Sequence, residues 1–339
     1  MNRLLIFIFL IQSQTVMAQN ITVVSNELIL DKPPFSSCHS STIVENNAKE
    51  LMVAFFAGSG EGAKDVCIWL TKRSRTSWRQ PVKIADGIIN DTLRYPCWNP
   101  VLFKVHHNLY LFYKVGPNPR EWWGMVKTSS DNGKSWSKAA KLPDGILGPI
   151  KNKPLQLNDG TILSPSSVET DSTWKVHMER SADTGRTWEI VPVDHFSRYK
   201  IIQPTILVHG DNKLQILCRS DQDSIVTSWS NDNGKTWSGF SKLNVPNPNS
   251  GIDAVTLQNG KHLLVYNPEV KGKNWFNNRG KLTIAQSSDG INWNVCLPLE
   301  STKDKEFSYP AIIQSDDGTV HITYTYDRKN VRYVSVKID

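Results

Sequence analysis

A turn motif with the pattern Ser-x-Asp-x-Gly-x-Ser/Thr-Trp recurs along the chain and constrains its fold more than any other feature. Three full copies end at Trp136, Trp188 and Trp237, a shortened copy ends at Trp293, and a decayed copy ends at Trp78. These tryptophans follow one another at intervals of roughly 50 to 60 residues, which is typical of the blades of a β-propeller.

The chemistry of the motif supports this interpretation. Asp and Gly favour a tight turn, the Asp carboxylate can accept backbone N–H bonds within it, and the Trp can pack the turn onto a sheet. Short runs with strand-like alternation surround the motif at residues 51–55, 109–113 and 262–266. Asp-Gly and Asn-Gly pairs predict hairpins between such runs, and convincing helical periodicity is absent.

The length of the chain sets the number of blades. At the observed spacing, a chain of 339 residues holds about six units, each long enough for the four short strands of a blade. We therefore predict an all-β fold, a six-bladed β-propeller in one domain spanning residues 19–339. A seven-bladed ring would need shorter units than those observed. We also expect the N-terminal strand to close the ring with the last blade.

The first 18 residues have the features of a secretory signal peptide. Arg3 precedes an apolar stretch at residues 4–11, and the small-residue pattern Val16-Met17-Ala18 stands before Gln19. This pattern predicts cleavage after Ala18 and a secreted or periplasmic protein; the alternative is a buried first helix or strand. The apolar stretch is too short to span a membrane, so we expect no membrane span.

Charge and cysteine content narrow the classes of partner. The net charge of +7 is scattered along the chain and forms no basic block with interleaved aromatics, which favours a small anionic ligand over a nucleic acid. The five cysteines have no metal-binding spacing and are interpreted as mostly buried thiols, namely Cys38, Cys67, Cys97, Cys218 and Cys296. Because the sequence has no phosphate-binding loop and no EF-hand spacing, we expect no cofactor and no metal. We also expect a monomer.

Four further segments, together with the turn motif, resemble a known family. They are His39-Ser40-Ser41-Thr42-Ile43-Val44-Glu45, Cys97-Trp98-Asn99-Pro100, Gly148-Pro149-Ile150-Lys151-Asn152-Lys153-Pro154 and Asn247-Pro248-Asn249-Ser250. The motif resembles the Asp box, and the chain resembles the sialidase (neuraminidase) superfamily of BNR-repeat proteins, in particular its secreted bacterial sialidase-like group. The resemblance covers essentially all of the mature chain. It implies an exo-acting glycoside hydrolase that releases a terminal sialic acid or related acidic sugar from an acidic glycan or glycoconjugate.

Because Asp boxes also occur in propellers without activity, they specify the fold better than the function. The alternative hypothesis is a catalytically inactive propeller that binds glycans. A scaffold for protein assembly ranks below both, since only the flat faces of a propeller favour it.

The resemblance also implies site residues. Sialidases use a Tyr nucleophile activated by a Glu, because a carboxylate would be repelled by the substrate's own carboxylate at the anomeric carbon. Tyr309 matches that nucleophile, and Gln203 falls where the family has the Glu and cannot act as a base. Arg219 and Arg279 match two of the three arginines that hold the substrate carboxylate. His39 stands where the remaining arginine is expected, and could bind an anion if protonated; the alternative is a hydrogen-bonded histidine at a strand end.

The acid that protonates the leaving group is expected on the loop after the first inner strands. Glu61 is the first choice and Asp65 the second, since a glycine-flanked carboxylate on a loop can reach a leaving-group oxygen. A changed mechanism that uses Glu169 or Glu179 is a variant, and a solvated loop acid is the alternative.

Other residues at the ends of inner strands complete the expected site. Lys153 or Lys114 could neutralise an acidic sugar in place of the missing arginine, and Asn99 could bind it. Trp98, Trp122 or Trp123 could stack on a sugar ring, although Trp is usually a core residue and Lys usually solvated.

Overall fold

Six antiparallel β-sheets make up the part of the chain that the computed structural model describes, residues 21–74, 76–194, 197–273 and 278–338. Every regular element longer than a turn in these ranges is a β-strand. The described part therefore contains no helix that is long and apolar enough to cross a membrane. The predicted signal peptide at residues 1–18 and the predicted start of the domain at residue 19 lie outside the described residues.

The strands follow one another blade by blade. After β1 (Ile21–Leu28), the first blade contains β2 (Ser37–Glu45), β3 (Leu51–Gly58), β4 (Cys67–Ser74), β5 (Ser77–Trp78) and β6 (Val82–Ala85). The second contains β7 (Cys97–Val105), β8 (Asn108–Val115), β9 (Trp123–Ser129) and β10 (Ala140–Lys141), and the third β11 (Leu155–Gln156), β12 (Ile162–Glu169), β13 (Trp174–Ser181) and β14 (Glu189–Pro192). The fourth contains β15 (Ile201–Val208), β16 (Leu214–Ser220), β17 (Ser224–Ser230) and β18 (Ser241–Pro246), and the fifth β19 (Asp253–Thr256), β20 (His262–Tyr266), β21 (Lys281–Ser287) and β22 (Asn294–Ser301). The sixth contains β23 (Phe307–Gln314), β24 (Val320–Tyr326) and β25 (Asn330–Ile338).

The first strand of the chain closes the ring. β1 pairs antiparallel with β25, with Ile21 opposite Ile338 and Leu28 opposite Arg332, so the sixth blade has the order β1-β25-β24-β23. Both sequence predictions, the six-bladed propeller and its closure by the N-terminal strand, are confirmed. Closure joins the two ends of the described chain and leaves no blade without its fourth strand.

The hydrophobic core lies between the blades rather than at the ring axis. Each of the six main apolar clusters combines side chains of two neighbouring blades, as where Met52 of the first blade packs with Leu109 of the second. Full burial of one such side chain contributes about 1.5–3 kcal/mol. Because adjacent blades are held by these contacts, the axis is free to carry polar side chains.

The repeated turn motifs have the geometry expected of them. In the copy at residues 129–136, Asp131 accepts hydrogen bonds from the backbone N–H groups of Lys134 and Ser135, both at 2.9 Å. Ser129 receives the N–H of Gly133 at 2.9 Å. Gly133 has a φ of 74°, and a Cβ there would stand 2.4 Å from the terminal methyl of Met52, so the position favours glycine.

The tryptophans that end the motifs anchor the turns to the core. Trp78, Trp136, Trp188, Trp237 and Trp293 each pack against a different one of the clusters between blades. All five cysteines are free thiols, four of them buried and Cys296 half-buried, which confirms their interpretation as core residues.

The innermost strands of four blades share an irregularity that points side chains at the ring axis. In β2, β7, β15 and β23 the pairing register shifts at one position, and the first displaced residue has a positive φ. These residues are Ser40, Asn99, Gln203 and Tyr309, with φ of 56°, 27°, 57° and 53°. A positive φ is unfavourable for a residue with a Cβ and is commonly retained at functional sites.

Candidate active site

A cavity of about 440 Å³ opens where these innermost strands begin. We call it the Tyr309 cavity. Its volume falls within the usual range for small-molecule sites, about 300–1,000 Å³. Its wall combines four aromatic side chains with several polar and charged ones, which suits a sugar ring. The lining residues are Glu61, Trp98, Asn99, Pro119, Arg120, Trp122, Glu169, Trp174, Ile202, Gln203, Arg219, Asn249 and Tyr309.

Tyr309 occupies the bulge of β23 and directs its phenol into the cavity. Arg219 donates a hydrogen bond to the phenolic oxygen at 2.9 Å, and the side-chain amide of Gln203 donates another at 3.4 Å. The His39 imidazole packs against the Tyr309 ring, with the two ring centroids 4.2 Å apart. The prediction placed Tyr309, Gln203 and Arg219 at one site, and the structure brings these three side chains together.

The orientation of the Gln203 amide follows from its neighbours. Arg219 has only donors, so the atom that faces its Nη1 at 3.3 Å must be the carbonyl Oε1. The amide nitrogen is then left to face the phenol. Within the described residues the phenolic oxygen therefore receives two hydrogen bonds, and no carboxylate bonds to it. This arrangement stabilises negative charge on the oxygen but supplies no base for the proton.

Two predicted arginines converge on one backbone carbonyl. Arg219 from β16 donates through Nη2 to the carbonyl of Asn249, and Nη2 of Arg279 contacts the same oxygen at 3.3 Å. Arg219 also donates Nε to the Asn249 side-chain oxygen at 2.8 Å. The prediction made Arg219 and Arg279 neighbours, and they are; of the two, Arg219 lines the cavity.

A carboxylate of the chain itself neutralises the second arginine. Glu306, in the loop between β22 and β23, lies 3.2 Å from Nη1 of Arg279 and accepts a 2.7 Å bond from Nε of Arg328. Burial would raise the pKa of the Glu306 carboxyl, but the guanidinium groups of Arg328 and Arg279 outweigh it and lower the pKa to about 2. The sequence reasoning missed both Glu306 and Arg328, because they come together only through the fold.

His39 is buried and is not among the residues that line the cavity. Its ring is fully buried, and its Nδ1 lies 2.9 Å from the hydroxyl of Thr325. Burial, then the nearby Arg328, hold the pKa of His39 well below its usual range. The imidazole packs against the ring of Tyr309 and, with this lowered pKa, offers no positive charge to an anion at neutral pH.

The structure separates the predicted acids. Glu61 lines the cavity and forms an ion pair with Arg328. Asp65 does not line the cavity, because both its oxygens accept bonds from Ser59, at 2.8 and 2.9 Å, and close the loop. Of the variant acids, Glu169 lines the cavity. Glu179 is fully buried and accepts the N–H groups of residues 147 and 148 at 2.8 Å each, so it orders a loop.

Only some of the residues predicted to contact the sugar line the cavity. Trp98 and Asn99 line the cavity, Trp98 with its indole N–H bonded to the Gly116 carbonyl at 2.9 Å. Lys153 does not line it, since its amino group is bonded to Asp253 at 3.0 Å. Lys114 is also turned away, and donates to the Pro149 carbonyl at 2.5 Å. The sequence reasoning missed Lys151, a buried residue whose Nζ lies 5.8 Å from the centre of the Tyr309 ring.

Burial changes the acidity of Lys151. Its amino group donates to Asn152 and to the carbonyls of Ile252 and Pro310 at 2.6–2.9 Å. Burial lowers its pKa to about 7, with the neighbouring Asp253 opposing the change. The group therefore lies under Tyr309 as a tightly bonded amine that ties three blades to the axis.

Comparison with known proteins agrees with this architecture. The family model for a BNR repeat-like domain matches residues 49–322. A curated sialidase of Bacteroides fragilis (strain YCH46) is 19% identical over 250 residues, which cover 65% of this chain and 45% of the relative. The chain thus spans less than half the length of that relative.

Solved structures resemble the whole described chain. A protein of unknown function from Dyadobacter fermentans aligns with a TM-score of 0.77 at 16% identity, covering 94% of this chain and 99% of that one. Trypanosoma rangeli sialidase in complex with sialic acid aligns with a TM-score of 0.69 at 17% identity, covering 95% of this chain and 59% of that one. The K499G mutant of the NanB sialidase from Streptococcus pneumoniae aligns with a TM-score of 0.69 at 12% identity. The alignment covers 92% of this chain and 71% of that one. The chain belongs to the family of proteins with a BNR repeat-like domain, and its propeller fold is that of these sialidases.

Proposed function

We propose that the protein is a glycoside hydrolase that releases a terminal acidic sugar from a glycan, with Tyr309 as the nucleophile. The observation that carries the proposal is the phenol of Tyr309, held in the cavity by a strained bulge and bonded to Arg219 and Gln203. Aromatic and carboxylate side chains share the same wall.

The first half of the reaction forms a bond between the phenolic oxygen of Tyr309 and the anomeric carbon. The glycosidic C–O bond breaks, its electron pair goes to the leaving oxygen, and a cavity carboxylic acid protonates that oxygen. Neither Arg219 nor Gln203 can accept the phenol proton, which passes to water. Their two hydrogen bonds stabilise the negative charge that the oxygen carries after it loses the proton and before it bonds to the carbon.

In the second half, water attacks the anomeric carbon and displaces the phenolate. The carboxylate formed in the first half takes the proton from this water, and the phenolate is protonated from solvent. The free sugar leaves with its anomeric configuration retained, since two displacements occur at the same carbon.

The anionic character of the substrate rests on the cations at the cavity. Arg219 and Arg120 both line it and bring positive charge to the space beside Tyr309. A related propeller, the Trypanosoma rangeli sialidase, is known in complex with sialic acid. Sialic acid or another acidic sugar is therefore the proposed terminal residue.

Turnover of a panel of fluorogenic acidic glycosides tests the proposal. We expect the purified protein to release the fluorophore from at least one 4-methylumbelliferyl glycoside of N-acetylneuraminic or glucuronic acid. Tyr309→Phe should abolish release. Tyr110→Phe is the matched control, because its hydroxyl bonds to the Thr184 carbonyl outside the cavity. Equal turnover by Tyr309→Phe and the wild type would refute the nucleophile.

One observation favours a second candidate, a propeller that binds acidic glycans without cleaving them. Gln203 stands where a base is expected beside Tyr309, and no described carboxylate bonds to the phenol. Calorimetric binding of an acidic oligosaccharide, weakened by Arg219→Met, with no turnover of any panel member, would support this candidate.

We also propose that residues 1–18 direct export. Expression of the full chain in a bacterial host, followed by intact mass measurement of the exported protein, tests this. The expected product begins at Gln19. A full-length protein retained in the cytoplasm would refute the proposal.

A further inference from the structure

A second cavity, of about 280 Å³, lies beside the Tyr309 cavity and shares a wall with it. Its other side is formed by the loop at residues 141–147, by Trp123 and by Val168. Four residues line both cavities, namely Pro119, Arg120, Trp122 and Glu169. The two cavities are therefore adjacent compartments with Glu169 at their boundary.

Glu169 differs from the other carboxylates near the site in its lack of a partner. Among the described residues, its carboxylate makes no hydrogen bond and no ion pair. Glu61 is paired with Arg328, Glu306 with Arg279 and Arg328, and Glu179 with backbone amides. The end of β12 holds Glu169 in place, since it pairs there with Trp174 at the start of β13. A half-buried carboxyl on a regular strand, with no local partner, is available to a ligand.

We infer that Glu169 is the proton donor to the leaving group, and that the second cavity holds the first sugar of that leaving group. The inference rests on the proposed function and names two parts of it, the acid and the subsite. An acid that protonates a glycosidic oxygen must stand between the sugar that is attacked and the group that departs. Glu169 alone among the described carboxylates lines both compartments.

The composition of the second cavity suits a neutral or polar sugar. Trp122 and Trp123 supply aromatic surface, and the ion pair of Lys141 with Asp144 supplies polar groups at the rim. Its volume is close to the lower end of the range for small-molecule sites, about 300 Å³, which limits it to about one ring. A longer glycan continues outward over the rim.

The proton transfer is balanced within the proposed reaction. As the glycosidic C–O bond breaks, its electron pair passes to the oxygen of the departing sugar, and the carboxylic acid of Glu169 gives that oxygen its proton. The resulting carboxylate then removes a proton from the water that attacks the glycosyl-tyrosine. Glu169 ends the cycle protonated, as it began.

The surroundings of Glu169 support the acid form. Burial raises the pKa of its carboxyl, and the positive charges of Arg219 on β16 and Arg120 on the β8–β9 loop oppose this without cancelling it. Glu61, across the Tyr309 cavity, is the other carboxylate that faces the same space. We expect activity to fall as the pH rises through the pKa of Glu169, because the proton donor is then lost.

Dependence on the leaving group tests the assignment of the acid. In Glu169→Gln, kcat/KM for alkyl glycosides of the accepted acidic sugar should fall about 10²–10⁴-fold, the usual contribution of a general acid. For 4-nitrophenyl glycosides, whose leaving group needs no proton, the fall should be under about tenfold. The variant should also lose the basic limb of its pH profile. Glu61→Gln should affect both substrates equally, and Glu189→Gln, an exposed change on β14, should affect neither.

The subsite has its own test. Val168 is 39% exposed and lines the second cavity, so Val168→Trp fills that cavity while the fold can accept the larger side chain. We expect kcat/KM for a disaccharide substrate to fall about tenfold or more, with little change for the methyl glycoside, whose leaving group leaves the cavity unfilled. Urea denaturation of each variant separates these effects from misfolding.

The outcomes distinguish the inference from the proposed function. If the wild type turns over no glycoside, both are overturned. If it is active but Glu169→Gln keeps the wild-type dependence on leaving group and pH, only the assignment of the acid is overturned. If Val168→Trp slows the methyl glycoside and the disaccharide equally, the second cavity is not the leaving-group subsite.

Discussion

The ion pairs of Glu306 predict a measurable dependence of stability on pH. Glu306→Gln removes the charge that lies between Arg279 and Arg328 but keeps a side chain of similar size. The Arg279 side chain is only 2% exposed, so it would be left as a buried cation without this partner. The variant should therefore be less stable than the wild type at neutral pH.

The magnitude follows from the acidity of the carboxyl. Its pKa is lowered from 4.5 to about 2 in the folded protein. At about 1.4 kcal/mol per pK unit, the ionised form stabilises the fold by about 3 kcal/mol at neutral pH. Because the folded pKa lies below the unfolded one, this contribution is complete above pH 4.5 and is lost as the pH falls towards 2. The same relation leaves about 1.4 kcal/mol at pH 3.

Urea denaturation followed by Trp fluorescence, at several values of pH between 7 and 3, measures this contribution. The free energy of unfolding of Glu306→Gln should lie about 3 kcal/mol below that of the wild type at pH 7, and the gap should close by about half at pH 3. Other carboxylates titrate in both proteins and cancel in the difference. Glu189→Gln, a matched change on an exposed outer strand, should match the wild type throughout. A gap that stays constant with pH, or is below about 1 kcal/mol at pH 7, would refute the reasoning.

Three further predictions follow from the same structure. Gln203→Glu places a carboxylate about 3.4 Å from the phenol of Tyr309 and should raise kcat on the accepted glycoside about tenfold or more, since a base then takes the proton; a lower kcat in steady-state assays would argue against a missing base. Gly133→Ala, at a φ of 74° and with the new Cβ 2.4 Å from the Met52 methyl, should lower the free energy of unfolding by about 2 kcal/mol. Gly160→Ala has a φ of 86° but open space around its Cβ and should cost less; equal losses in urea denaturation would contradict the role of Met52. Burial raises the pKa of Cys38 to about 12, so iodoacetamide at pH 8 should leave it unmodified in the native protein and modify it after unfolding; mass spectrometry that finds native Cys38 alkylated would contradict its burial.

The sequence predicted the fold well because the signals for it are local. Each turn motif contains its own hydrogen-bond acceptor, its glycine and its anchoring tryptophan within eight residues, as at Asp131 and Trp136. Repetition of that unit fixes the number of blades and leaves closure by the N-terminal strand as the natural solution.

The site was predicted only in part, because its charges are set by contacts between blades. Lys153 is turned from the cavity by Asp253, a residue of another blade, and no local pattern marks that pair. Glu306 and Arg328 lie on separate connections of the sixth blade and meet only when the sheet forms.

One missed signal was present in the sequence. A proline follows the displaced residue of three innermost strands, at Pro100, Pro204 and Pro310. Proline within a strand indicates an edge strand or a bulge. The recurrence of this pattern would have placed Asn99, Gln203 and Tyr309 at equivalent positions around the axis.

Covalent trapping tests the role of Tyr309 most directly. The protein is incubated with an activated fluorinated analogue of the acidic sugar that it accepts, which slows hydrolysis of the glycosyl-enzyme, and the intact mass is measured. We predict the addition of one sugar, mapped by peptide sequencing to Tyr309 and absent from Tyr309→Phe. Turnover with no adduct, or an adduct on another residue, would contradict the account.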